Sequence, residues 1–241
     1  MDAGETLNSV TGGEGAFPKI PLRKMLALSV GAVALMVVAS LWVGVRVPDN
    51  GKYPIHWGLD GKPDGYGSTT FVLYSIPAVV AGMVALLAVV PWIEPRRFSL
   101  QQSAKAYCAL WSALLAIFMV LHAAILVSVM GHTVNMNHVM SPSLGVLFMI
   151  LGNYMGKIQS NFTFGIRTPW TLSSELSWNK THRLGGRLFF IDGLAIIATS
   201  LIPSCQEWLL VIIVGGSVGI VLSLMGYSYA IWRTDPEKKV S

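Results

Sequence analysis

Charged residues are scarce in this chain of 241 residues. Asp, Glu, Lys and Arg together make up 12% of it, whereas soluble domains carry about 25%. Hydrophobic residues make up 53%, and the mean hydropathy is +0.59. This shortage of charge excludes an ordinary soluble domain and predicts an integral membrane protein. Cysteine is equally scarce, and two residues exclude a small fold held by disulfides.

A concentrated basic patch is also missing, although the net charge is +5. The Lys and Arg residues lie between apolar runs. This distribution predicts contacts with the lipid bilayer and no direct nucleic-acid partner. The N-terminus lacks the features of a cleaved signal peptide, because its first residues are polar and acidic. Residues 1–20 are predicted to be a disordered cytoplasmic tail.

Long apolar runs are what the chain has instead. A spanning helix needs roughly 20 apolar residues, and the sequence predicts an all-α membrane protein with six such helices. Two of them, Pro142–Met155 and Leu188–Ile202, are short, and a re-entrant geometry is the alternative for each. The predicted helices are Met25–Val45, Phe71–Ile93, Ala106–Met130, Pro142–Met155, Leu188–Ile202 and Trp208–Ile231.

The distribution of basic residues predicts the orientation. If both termini are cytoplasmic, 14 of the 17 Lys and Arg residues fall in inner segments, as the positive-inside rule requires. The chain then divides into a two-helix unit at 21–93, a four-helix unit at 94–233 and a cytoplasmic tail at 234–241. An extracellular loop at 48–70 and a cytoplasmic, amphipathic loop at 156–187 follow from the same orientation.

The extracellular loop contains YPIHWGLDGKPDGYG at Tyr53–Gly67. Its Asp-Gly and Pro-Asp-Gly sequences favour tight turns, so the loop is predicted to be compact and rich in turns. Two interpretations stay open for its polar and aromatic side chains. They form an external recognition surface, or they only shape the loop. The residues concerned are His56, Trp57, Asp60 and Asp64.

The cytoplasmic loop contains the polar and aromatic segment Asn161–Arg187. Thr168–Pro169 is a typical helix start, and Gly185–Gly186 is a plausible helix end. The sequence therefore predicts a helix over Trp170–Leu184 that lies on the membrane surface. Packing beneath the bundle and docking of a cytosolic partner are the two open interpretations.

Catalysis is not predicted for this segment. His182 has only Glu175 near it in sequence, and no nucleophile is arranged with a base. A membrane enzyme would need a reaction centre in this loop. No cofactor and no metal site are predicted either.

Polar residues within the predicted helices form a further group. His122 and Asp192 are costly inside a membrane and are therefore candidate functional residues, including as a proton relay. No inverted repeat is visible, which weakens a transporter interpretation. Gly215, Gly219 and Ser223 follow one another at four-residue spacing, which suits either close packing within the bundle or an oligomer contact.

Two motifs resemble a known family. The sequences GIRTPWTLSSE at Gly165–Glu175 and THRLGGR at Thr181–Arg187, with Trp178 between them, are similar to the SdpI immunity protein family of bacteria. The segment PIHWGLDGKPDGYG at Pro54–Gly67 resembles a small domain of unknown function that accompanies many of these proteins. The resemblance covers nearly all of the chain after residue 20.

The resemblance implies a multi-pass protein of the bacterial cell membrane that protects its cell from a secreted peptide toxin. It also implies a receptor that draws a cytosolic repressor to the membrane, and no enzyme. A small-solute or proton-coupled transporter is the alternative. The toxin-facing candidates are His56, Trp57, Asp60, Pro63, Asp64 and Gly65. The candidates for contact with the repressor are Arg167, Thr168, Pro169, Trp170, Glu175, Trp178, His182 and Arg183.

Overall fold

The computed structural model describes residues 20–58 and 61–238. Within these ranges the chain is mostly helical, with one β-hairpin. The helices are α1 (Leu22–Gly44), α2 (Thr69–Ile93), α3 (Arg97–Gln102), α4 (Ala104–Val129), α5 (Met136–Met155), α6 (Pro169–Ser173), α7 (Glu175–Leu201) and α8 (Ser217–Thr234). A 3-10 helix at Pro203–Trp208 and a π-helix at Val211–Gly216 connect α7 to α8. The strands are β1 (Lys52–Trp57) and β2 (Pro63–Ser68).

Five helical segments of the described chain are long and apolar enough to cross a membrane. They are Leu22–Gly44, Thr69–Ile93, Ala104–Val129, Glu175–Leu201 and Val211–Thr234. The helix α5 has 20 residues but is not among the five. A mostly helical membrane protein is therefore confirmed, while six crossings and the cytoplasmic placement of both ends stay predictions.

The helix α5 begins earlier than the sequence predicts. Pro142 was expected to be its first helical residue, but it lies inside a helix that starts at Met136. Asn135 caps this start, since its side-chain oxygen accepts a hydrogen bond from the backbone N–H of Asn137 at 3.0 Å. The prediction was wrong because a proline N-terminal signal was preferred over the Asn cap, which lies about two turns upstream.

The helix α7 is also longer than predicted, and Gly185–Gly186 does not end it. A single helix over Trp170–Leu184 was wrong, because the chain is extended at Ser174 between α6 and α7. A separate short helix at Leu188–Ile202 was also wrong, because α7 runs unbroken from Glu175 to Leu201. A Cβ atom on Gly186 would lie 2.7 Å from the carbonyl oxygen of Gly152 on α5. The glycine allows the backbones of the two helices to touch, as small residues do in membrane proteins.

Two groups of helices make up the bundle. The helices α1, α2 and α4 pack around a buried cluster that includes Met25, Val80 and Trp111. The helices α5, α7 and α8 form the other group, in which α5 and α7 make the most extensive contact. On α8 the small residues face outward, because a Cβ atom on Gly219 would meet nothing within 4 Å. Packing of this face inside the bundle was therefore a wrong interpretation, and an oligomer contact stays a prediction.

The bundle has two distinct ends. The β-hairpin joins α1 to α2 at one of them, here called the hairpin end. The segment that precedes α7 lies at the other, where α2 ends and α4 begins, and this is the motif end. Residues Asn161–Arg187 are called the motif segment.

Candidate functional site

The predicted compact loop at the hairpin end is a β-hairpin. Strand β1 pairs antiparallel with β2, with His56 opposite Gly65 and Trp57 opposite Pro63. The register is irregular on both sides of His56, which turns the side chains of neighbouring residues in different directions. Asp60, one of the toxin-facing candidates, lies outside the described residues.

His56 and Asp64 form an exposed pair on this hairpin. The Nδ1 atom of His56 lies 2.5 Å from Oδ1 of Asp64, and the two side chains are 72% and 53% exposed. Exposed pairs of this kind contribute little to stability. Both groups are therefore available to an external ligand.

Trp57 faces the bundle instead. Its ring is half-buried against the core cluster at the hairpin end, which includes Val43, Leu73 and Ile125. Its indole N–H is buried and finds no hydrogen-bond acceptor among the described residues. Trp57 therefore packs the hairpin against the helices, while its neighbour His56 is exposed.

The hairpin continues directly into α2. The Ser68 hydroxyl at the end of β2 caps α2 by accepting from the backbone N–H of Phe71 at 3.4 Å. The hydroxyl of Thr69 donates to the carbonyl oxygens of Pro48 at 2.8 Å and Asp49 at 3.0 Å. The hairpin and the first turn of α2 thus form one hydrogen-bonded unit.

At the other end of α2, Glu94 binds the motif segment. This carboxylate is buried and accepts hydrogen bonds from the backbone N–H of Phe162 at 3.2 Å and from the Thr163 hydroxyl. It also accepts from the backbone N–H of Arg96 at 2.9 Å. Burial alone would raise the pKa of Glu94, but these hydrogen bonds and the Arg96 charge outweigh it and hold the pKa below its usual range.

Arg96 extends this contact along the motif segment. Its guanidinium donates to the Ser160 hydroxyl and, at 3.2 Å, to the carbonyl oxygen of Leu172. The same group lies 4.5 Å from the ring centre of Phe162. Sequence reasoning missed both Glu94 and Arg96. The available signal was an acid followed two residues later by a base, directly after an apolar helix. Only the base was used, as a marker of orientation.

Trp178 and His182 form the buried centre of the motif segment. The Trp178 indole donates to the Ile158 carbonyl at 2.7 Å, and its ring stacks on the His182 ring at 4.0 Å. In His182, Nδ1 lies 2.8 Å from the Trp178 carbonyl, and Nε2 accepts from the backbone N–H of Ile166 at 2.9 Å. These partners assign the neutral Nδ1–H tautomer, so neither nitrogen is free to act as a base. Gly165 reaches over this ring with a φ of 115°, a conformation that favours glycine.

Hydroxyl groups hold α6 and α7 against the end of α8. Thr168 caps α6 in a capping box with Thr171. Ser174 caps α7 and donates to the carboxylate of Asp235, while the Ser177 hydroxyl donates to the Ser228 carbonyl at 2.8 Å. Hydrogen bonds from Ser174 and from the backbone N–H of Glu237 hold the pKa of Asp235 below its usual range.

The remaining candidates of the motif segment are accessible. Arg167, Pro169, Glu175 and Arg183 are exposed, and Trp170 is half-buried beside Tyr229. An apolar cavity of about 550 Å³ opens between this part of the segment and α4, α5, α7 and α8. The segment therefore has a buried face that fixes its shape and an exposed face that a partner can reach.

The two polar residues within the helices, His122 and Asp192, lie in different helix contacts. His122 is buried on α4, and its Nε2 atom lies 3.1 Å from the Ser40 hydroxyl and 3.2 Å from the Met36 carbonyl on α1. Asp192 is buried on α7 against Gly216 of the π-helix. One carboxylate oxygen of Asp192 has no hydrogen-bond partner among the described residues.

Comparisons with known proteins agree with this arrangement. Residues 157–227 match the SdpI/YfhL protein family, and residues 31–81 match a domain of unknown function, DUF1648. The chain is 23% identical over 205 residues to the immunity protein SdpI of Bacillus subtilis (strain 168), which covers 84% of this chain and 94% of that protein. No solved structure matches the chain.

The apolar helices and this similarity identify a multi-pass protein of the bacterial cell membrane. The motif segment falls within the first matched region, and the hairpin falls within the second. The resemblance expected from the two motifs is thereby confirmed, since each motif lies in a part of the chain that matches the corresponding family model.

Proposed function

We propose that this chain is a membrane immunity protein that protects its cell from a secreted antimicrobial peptide toxin and also acts as a receptor. In this proposal the hairpin end faces outward and binds the toxin. The motif end faces the cytoplasm and binds a repressor when the toxin is present. Similarity to an immunity protein over most of the chain supports the protective role.

One structural observation carries the receptor role. The single helix α2 has the hairpin at its first residue and Glu94, which binds the motif segment, directly after its last residue. A movement of the hairpin would therefore displace a buried carboxylate at the opposite end. A rigid element held by both sites is the kind of connection through which binding at one site can change the other.

The exposed residues define the two proposed binding surfaces. His56 and Asp64 are the toxin-facing groups. Trp57 packs the hairpin that carries them against the helices. At the motif end, the proposed surface for the repressor consists of the accessible Arg167, Pro169 and Glu175. The buried members of the predicted set, Thr168, Trp178 and His182, would maintain the shape of that surface.

Survival under toxin tests the protective role. The chain is expressed in a sensitive bacterium without its own immunity protein and challenged with the Sdp-type peptide toxin. We expect the wild type to protect, and the double variant His56→Ala, Asp64→Asn to protect less at the same membrane level. Lys52→Ala, on the same hairpin and also exposed, is the matched control. Absence of protection by the wild type at a normal membrane level would contradict the proposal.

Recruitment of a fluorescent repressor to the membrane tests the receptor role separately. The double variant Arg167→Ala, Glu175→Gln should still protect against toxin but recruit less repressor. Arg97→Ala changes an exposed basic residue at the same end but outside the motif segment, and it should recruit normally. Full recruitment by the double variant would remove the motif segment from the proposed surface.

A transporter is the second candidate, favoured by the buried carboxylate of Asp192, one oxygen of which has no partner among the described residues. This residue faces a π-helix, and such helices are frequent at functional sites. Asp192→Asn distinguishes the two functions. A transporter would lose flux through this change, whereas the proposed immunity protein would keep its protection.

A further inference from the structure

A basic cleft opens between α5 and α7 at the motif end. Its volume is about 520 Å³, and none of its lining residues is acidic. Lys157 lies on one wall, just after α5, while Arg183 and Arg187 lie on α7, one turn apart. The helix backbones meet at the base of the cleft, where Gly152 and Gly186 are in contact.

The three cations of this cleft are not neutralised within the described chain. Lys157 lies 5.0 Å from the centre of the Tyr154 ring, which leaves its ammonium charge in place. The stem of Arg183 packs along Gly156, and its guanidinium forms no ion pair with a described residue. The contact between His56 and Asp64 lies at the opposite end of the bundle.

The cleft also adjoins an apolar surface that belongs in lipid. Phe190 and Ile191 line it, and they are 37% and 61% exposed within one turn of Arg187. Basic side chains at the boundary of an apolar helix surface extend to the level of the headgroups. Arginine binds phosphate through two parallel N–H donors, so Arg183 and Arg187 are suited to a phosphodiester.

We infer that this cleft is a binding site for one anionic phospholipid. Its headgroup phosphate lies between Lys157, Arg183 and Arg187, and an acyl chain lies along Phe190 and Ile191. The site does not depend on the proposed immunity role. It removes Arg183 from the surface offered to a cytosolic partner and places it against the membrane.

Native mass spectrometry of the full chain released from micelles tests this site. The probes are phosphatidylglycerol and phosphatidylcholine with identical acyl chains. We expect the wild type to retain one phosphatidylglycerol and little phosphatidylcholine. A basic residue near anionic lipid is worth about a factor of five in affinity, so Arg183→Gln, Arg187→Gln should weaken retention by about 30-fold.

The matched control is the double variant Arg97→Gln, Lys105→Gln. It removes the same charge from exposed positions at the same end but outside the cleft, and it should retain lipid normally. Equal loss in this control, or equal retention of both lipids by the wild type, would overturn the inference.

Two further measurements keep the test decisive. Lys157→Gln alters the other wall of the cleft and serves if the double arginine variant does not fold, with an expected loss of about fivefold. Glycerol phosphate, which lacks acyl chains, should not compete with the lipid at equal concentration. Full competition would mean that the cleft binds a soluble phosphate and not a phospholipid.

Discussion

The two ends of this bundle use polar residues in opposite ways. At the hairpin end, the contact between His56 and Asp64 is exposed to solvent. At the motif end, Glu94, Trp178 and His182 are buried, and hydrogen bonds occupy their polar groups. An exposed pair can exchange its partner for a ligand at little cost, whereas a buried network can change only as a unit. The hairpin end is therefore suited to binding a ligand, whereas the motif end is suited to keeping one conformation.

Removal of Trp178 should produce the largest effect, because it breaks the buried network at its centre. Trp178→Ala deletes a fully buried ring and leaves the Ile158 carbonyl without its donor. We expect a loss of about 3–5 kcal/mol in the free energy of unfolding, measured by thermal denaturation in detergent. Trp92→Ala, at a largely exposed ring, is the control. Similar losses in both variants would mean that the two positions are not different in burial.

A methyl group between α5 and α7 should have the next largest effect. In Gly186→Ala the added Cβ meets the Gly152 carbonyl oxygen at 2.7 Å, so the helices must separate. Overpacking of this kind costs about 1–3 kcal/mol. Gly219→Ala adds the same group where nothing lies within 4 Å and should not destabilise. The order of the two melting temperatures checks the prediction.

Acid should weaken the motif end, where two carboxylates accept several hydrogen bonds. The pKa values of Glu94 and Asp235 are lowered in the folded chain. Their contribution to stability is therefore complete above the ordinary carboxyl pKa, and it is lost as the pH falls through the lowered value. Glu94→Gln should flatten the acid limb of the stability curve. Glu175→Gln, at an exposed carboxyl, should leave that limb unchanged.

The smallest effect on stability should come from the hairpin pair. His56→Ala removes one partner of an exposed contact, and such contacts are worth at most about 1 kcal/mol. The melting temperature should stay close to that of the wild type even where protection against toxin falls. A large drop would show that His56 supports the fold, and the contrast between the two ends would then disappear.

The sequence predicted the elements that depend on composition and missed those that depend on neighbours. Long apolar runs located α1, α2 and α4, because a membrane selects helices by their own apolarity. Gly185–Gly186 was misinterpreted as a helix end because a close contact with another helix leaves the same pattern of small residues. The partner glycines lie on α5, far away in the sequence, so no local signal separated the two cases.

The candidate site shows the same division. The sequence singled out the motif segment and its aromatic residues, but it did not separate the buried from the exposed members. Trp57 and Trp178 hold structure, although both were candidates for direct contact with a partner. Glu94 was overlooked because its partners lie 68 and 69 residues later in the chain.

The contact between α5 and α7 has a consequence for biosynthesis. By itself α5 is less apolar than the five candidate spans, and Gly152 exposes backbone where its partner helix is absent. The ribosome completes α5 before the glycines of α7 have been made. Until α7 emerges, the backbone of α5 at Gly152 therefore lacks the helix that covers it in the folded chain.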